Sequence, residues 1–158
     1  MKPNLFTQLT LAATLVVLST AALAHDDATL DKMKTPHHGQ LRMSGIHHFE
    51  LVLAKGNKLA KVSPVDIYLT DHAGNKIPSA GAKGTATILT GKSKVVVPIT
   101  ATTDNKLSGN GQYAYDANTK VVVSITFADK TTEQARFTPS TASPSGDMAQ
   151  MEGMKDMK

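Results

Sequence analysis

Four of the six histidines in this chain fall within the fourteen residues His37 to Glu50, HHGQLRMSGIHHFE, which also carry Met43 and Glu50. A second cluster closes the chain, where Met148, Met151, Met154 and Met157 recur every third residue in DMAQMEGMKDMK. There is no cysteine, so a soft-metal site has to be made from imidazole nitrogen and thioether sulfur. A thioether stays unprotonated and binds copper(I) or silver(I) where a thiol would oxidise. The chemistry these residue types suggest is therefore copper binding in an oxidising compartment.

The segments that must position these donors begin with a leader. Lys2, an apolar run from Leu9 to Leu23 and the small residues Ala22-Leu23-Ala24 have the form of a secretory signal peptide, residues 1–24. The run is shorter than the roughly 20 residues needed to span a bilayer, and the sequence after it contains no other candidate, so no membrane span is expected in the processed chain. Cleavage after Ala24 makes His25 the first residue, pairing an α-amino group with an imidazole in a unit that copper(II) accepts; cleavage after Ala22 would not. Residues 25–36, HDDATLDKMKTP, read as a polar, flexible arm with only Leu30 and Met33 to bury.

Two short strands hold the histidine cluster. Gln40 to Ser44 alternates with Leu41 and Met43 on one face; His47 to Leu53 places His47, Phe49, Leu51 and Leu53 on one face and His48, Glu50 and Val52 on the other. A three-residue loop, Ser44-Gly45-Ile46, sets Met43 opposite His47 and Leu41 opposite Phe49, with every apolar side chain on one side; a two-residue loop mixes the faces. Two sites follow from the three-residue register. Met43 and His47, joined by His37 or His38, suit copper(I), with silver(I) as an analogue. His48 and Glu50, two residues apart on one face, suit copper(II) or zinc. The plainer explanation has Arg42 and Glu50 as a surface ion pair, His48 solvated, and Met43 and His47 as rim packing.

The remaining strands read at Pro64 to Thr70, Lys83 to Thr90, Lys94 to Thr100, Gln112 to Asp116, Lys120 to Ala128 and Thr131 to Thr138, separated by turn residues such as Asp71-His72-Ala73-Gly74-Asn75. Pro98 marks its strand as an edge. His72, at a turn tip, reads as solvated. No segment has the periodicity of an amphipathic helix. The fold class expected is all-β over residues 37–138, a small antiparallel β-sandwich of immunoglobulin-like type, with a small β-barrel as the alternative.

From Pro139 the composition shifts to a Ser/Pro linker and the methionine tail, residues 139–158, expected to be disordered. The formal net charge of +4 falls to +3 without the leader. The lysines are spread along the sequence and only 4% of residues are aromatic, a balance that does not point to nucleic acid.

Several motifs resemble a family of small exported proteins associated with bacterial copper and heavy-metal resistance. They are His38-Gly39, His48-Phe49-Glu50-Leu51-Val52, Tyr68-Leu69-Thr70-Asp71-His72-Ala73-Gly74, Gly81-Ala82-Lys83-Gly84-Thr85-Ala86-Thr87 and Glu133-Gln134-Ala135-Arg136-Phe137. The resemblance covers His38 to Phe137. It implies a periplasmic, non-catalytic β-domain connected with metal handling, with His38, His48 and Glu50 as site positions and heavy-metal efflux components as partners. The chain departs from five-stranded copper chaperones that stack a tryptophan on the metal, since it has none. The expectation is a protein that buffers or delivers copper, using flexible methionines for capture and a more ordered His/Met site for holding. The competing expectation is a β-domain adaptor that binds an efflux protein, its histidines incidental. An enzyme is not expected.

Overall fold

The computed structural model describes residues 27–56 and 58–139. A short helix, α1 (Asp27–Leu30), precedes β1 (Gln40–Ser44), β2 (His47–Leu53), β3 (Lys61–Thr70), β4 (Lys83–Thr90), β5 (Ser93–Thr103), β6 (Lys106–Tyr113), β7 (Lys120–Thr126) and β8 (Thr132–Phe137). The eight strands form one sheet in the order β1-β2-β3-β6-β5-β4-β7-β8, and every paired neighbour is antiparallel. Because β4, β5 and β6 are a meander whose outer members pair with β7 and β3, the topology contains two overlapping Greek keys.

The all-β antiparallel class is as the alternation implied. The strands make a single nearly closed, barrel-like sheet, the second of the two expected arrangements. The long β3–β4 connection explains why: it lets β6 return beside β3, so strands that a sandwich would divide between two sheets share one. The sheet ends, β1 and β8, come together. There the Gln40 side chain imitates a peptide group, its Nε2 donating to the Thr138 carbonyl at 3.3 Å and its Oε1 accepting from the Thr138 N–H at 3.0 Å. Bridging the seam in this way satisfies edge groups that would otherwise invite another strand.

Alternating residues fill the interior. Phe49, Leu51 and Leu53 of β2 stand opposite Leu69, Ile67 and Val65 of β3, and pack with Ala86, Ile88, Ile99, Val123, Ile125 and Phe137 from the rest of the barrel. Pro98 lies on β5, which has neighbours on both sides. That strand is therefore not the expected edge strand; Pro98 pairs with Thr85 on β4 and lies beyond the β5–β6 pairs, which run only from Thr100 to Thr103.

Candidate functional site

The first hairpin departs from the expected register. Ser44 pairs with His47, Met43 with His48, Arg42 with Phe49 and Leu41 with Glu50, so the loop is the two residues Gly45-Ile46. Gly45 takes φ +57°, as the first central residue of a type II′ hairpin requires. A Cβ there would also collide with the Glu133 carboxylate. The faces are mixed, and the protein tolerates this because both faces of β2 are covered: His48 and Glu50 are 5% and 4% exposed, as buried as the core residues behind them.

The cover on the outer face is the N-terminal arm. At the seam, Arg42 binds Asp31 through Nη1 at 2.7 Å and Nη2 at 3.2 Å, and its Nε lies 3.4 Å from Asp27. Arg42 therefore does not pair with Glu50, and it shares the inward row with Phe49 rather than the outer row with His48. Leu30 is 1% exposed and Thr35 is buried as well, so the arm packs at these two residues while the rest of 27–36 is exposed.

The arm then delivers His37 to the outer face. One Glu50 oxygen accepts the N–H groups of His37 at 3.0 Å and Gly39 at 2.9 Å; the other lies 2.9 Å from His37 Nδ1. A carboxylate only accepts, so Nδ1 carries a proton, which in the neutral ring leaves the lone pair on Nε2. The His37 ring lies flat on Tyr68, centroids 3.5 Å apart and 3° from parallel. Both sides of the imidazole edge are thus fixed by packing and by a buried acceptor. Gly39 is required for this approach, since a Cβ would meet the Leu51 carbonyl and the Glu50 side chain. His38, at φ +58°, is turned outward and exposed.

One row along the same face, His48 stands opposite both Met43 on β1 and Thr70 on β3, which puts all three side chains on one side of the sheet. The His72 ring stacks on that of His48, centroids 4.7 Å apart and 24° from parallel. His72 is held there by its loop. The Asp71 carboxylate accepts from Ala73 N at 2.9 Å, Asn75 N at 2.8 Å and Asn75 Nδ2 at 2.9 Å. Asn75, through its side chain and then its backbone, holds the Asp71 carboxyl below the usual range. On the neighbouring row, Lys106 lies 2.9 Å from Asp66 and 5.6 Å above the Tyr68 ring. That partner, chiefly through its hydrogen bond, raises the Lys106 ammonium pKa.

Of the expected ligands, the fold therefore gathers Met43 and His48 on one row and His37 and Glu50 on the next. Glu50 is occupied in orienting His37 and the arm backbone. His47 goes elsewhere: it belongs to the inward row, with Nδ1 2.9 Å from Glu133 and its ring 4.7 Å from Phe127. The Met43–His47 pair expected from the sequence is thus replaced by Met43–His48, because the loop is one residue shorter. His25 and Met148, Met151, Met154 and Met157 lie outside the described residues. His72, expected to be solvated, is exposed at its turn, and the Asp-His-Ala-Gly-Asn turn also lays its ring on His48.

Among the described residues, no three His, Asp or Glu side chains converge on a point that could hold a metal ion. A site on this face has to count the Met43 thioether among its donors. Among the described residues, too, no helix is long and apolar enough to cross a membrane. No family model, no curated protein and no solved structure matches the chain.

Proposed function

We propose that this chain is an exported, non-catalytic metal-binding protein that takes up copper(I), or silver(I) in its place, and buffers it or passes it to a heavy-metal efflux machine. The observation that carries the reading is the pairing of Met43 with His48 on the outer face of β1 and β2, with the ring of His72, from the turn after β3, stacked on His48. All three are neutral soft or borderline donors, a set that favours a monovalent d10 ion over magnesium or calcium. His37 Nε2, oriented through Nδ1 by Glu50 in the manner of a carboxylate–histidine–metal arrangement, supplies a further donor on the adjoining row. In this reading Glu50 orients a ligand instead of binding copper(II) or zinc with His48. The tail methionines capture the ion and the domain holds it. The resemblance to heavy-metal resistance proteins points the same way.

Competitive titration with silver(I) tests the site, in a chain whose four tail methionines are changed to leucine so that only the domain is titrated. Met43→Leu, His48→Gln and His72→Asn should each lower affinity by about tenfold or more, the loss of one of few ligands, while His47→Ala leaves it unchanged. Equal affinity in all four variants would sink the proposal. Loss confined to His47→Ala would return the site to the hairpin tip.

A further inference from the structure

Lysines that are dispersed in the sequence are gathered by the fold. Odd-numbered strands run one way and even-numbered strands the other, so the connections fall at two ends of the barrel. The end formed by loops 54–60, 91–92 and 114–119 carries Lys55, Lys58, Lys61, Lys92, Lys94 and Lys120, all exposed. Among the described residues those three loops carry one carboxylate, Asp116, whose Oδ1 accepts from Asn118 N at 2.8 Å and Thr119 Oγ1 at 3.3 Å; where β1 begins at the same end, Asp31 is held by Arg42 and Gln40, with the exposed Lys32 and Lys34 following it in the chain. The opposite end is mixed, with Asp71, Asp104, Asp129 and Glu133 beside Lys76, Lys83 and Lys130. Within the basic end, Leu59 is 84% and Val62 71% exposed. These two aliphatic side chains stand in one lysine-rich run, KLAKV, at the entry to β3.

We propose that this end docks on an anionic lipid surface, with Leu59 entering the headgroup boundary and the lysines lying over the phosphates. Charge complementarity selects the partner. The cations are flexible point charges on long apolar stems, which suit a fluid layer of phosphates and can bury their methylenes in it. A protein partner would be anchored by exposed aromatic residues, but the tyrosines here, Tyr113 and Tyr115, are buried. The same lack of exposed rings leaves nothing on which nucleic-acid bases would stack. Single exposed leucines are common; this one is bracketed by lysines on the most basic surface of the barrel, the composition of an interfacial anchor. The proposal is independent of the metal site, which lies on the outer face of β1 and β2.

The test is co-sedimentation of the full chain with phosphatidylcholine vesicles with and without phosphatidylglycerol. Binding should require phosphatidylglycerol and fall as salt is added. Lys58→Glu with Lys61→Glu should weaken it by roughly several hundredfold, each reversal removing about fivefold of attraction and adding a comparable repulsion. Leu59→Ser should weaken it by about tenfold, the transfer value of one leucine side chain, with the salt dependence kept. Lys92→Glu with Lys94→Glu, far from that loop in sequence, should also weaken it. Lys76→Glu with Lys130→Glu, at the opposite end, should leave it unchanged; circular dichroism checks that every variant is folded. Equal losses from both ends would show unspecific charge attraction and overturn the proposal, as would binding to a soluble polyanion but not to vesicles.

Discussion

Strands β2 and β7 are both seven residues long and both point an aliphatic or aromatic row into the barrel, yet their outer faces differ at two positions of β2, His48 and Glu50. On β7 the outward residues Val122, Ser124 and Thr126 are half-buried, the ordinary condition of a sheet with one face toward water. On β2 the outward His48 and Glu50 are buried as deeply as a core residue, because His37 and Gly39 close over Glu50 and the His72 ring lies on His48. The difference teaches where a small barrel can place chemistry. Its interior is filled by side chains and has no room for a site, so on the outer face an imidazole and a carboxylate gain a water-poor setting where the chain folds back over the strand. That layer also fixes geometry, as the hydrogen bonds that Glu50 accepts from His37 and Gly39 show.

If the two strands differ only on their outer faces, their inner faces should respond alike. Phe49→Ala on β2 and Ile125→Ala on β7 remove fully buried side chains and should each cost about 3–5 kcal/mol of stability in urea denaturation. A much smaller loss on β2 would mean that the arm, and not the barrel, holds that strand. The outer faces should then separate. Glu50→Ala strands two backbone donors and the His37 ring, and should cost about 2 kcal/mol. Ser124→Ala, at an outward half-buried position on β7, should stay within about 0.5 kcal/mol. Equal values for that pair would erase the contrast.

The same contrast explains what could be read from the sequence. The strands were legible wherever alternation had one buried face, as in Val121, Val123 and Ile125 of β7, and the turn residues Asp71 to Asn75 marked their loop. The hairpin register was not legible. Alternation chooses a register by keeping apolar residues together, and that criterion fails when His48 and Glu50 are buried too. From this failure followed the wrong neighbour for Met43 and the misplacing of Arg42. The barrel closure was also hidden, since it depends on Gln40 reaching Thr138, 98 residues away, and so was the basic end, whose lysines come from loops and strand ends far apart in the chain. A direct check of the register is Gly45→Ala, which forces a Cβ into positive φ and against Glu133. It should cost about 1–2 kcal/mol; a neutral result would mean that the turn is not of the II′ type.

The smallest expected effect concerns how the covering layer is fastened. Asp31 is the arm's anchor at the seam: its two oxygens take both Arg42 Nη groups, and Oδ1 also accepts from Gln40 Nε2 at 2.8 Å. The Arg42 hydrogen bond, more than any other influence, holds the Asp31 carboxyl below its ordinary value of 3.8. A carboxyl with a depressed folded pKa stabilises the fold above its unfolded value and loses that contribution as pH falls through the folded value. The anchor should therefore be at full strength from neutral pH down to about pH 4 and weaken only below that. With 45% of the Asp31 side chain exposed, solvent screening limits its worth to about 1 kcal/mol or less. Asp31→Asn should thus be slightly less stable than the parent at pH 7, and the two unfolding curves should converge as the solution is taken below pH 4. Were the gap instead to persist in acid, the Asn substitution would be acting through packing, and the charge of Asp31 would not be what fastens the arm over β2.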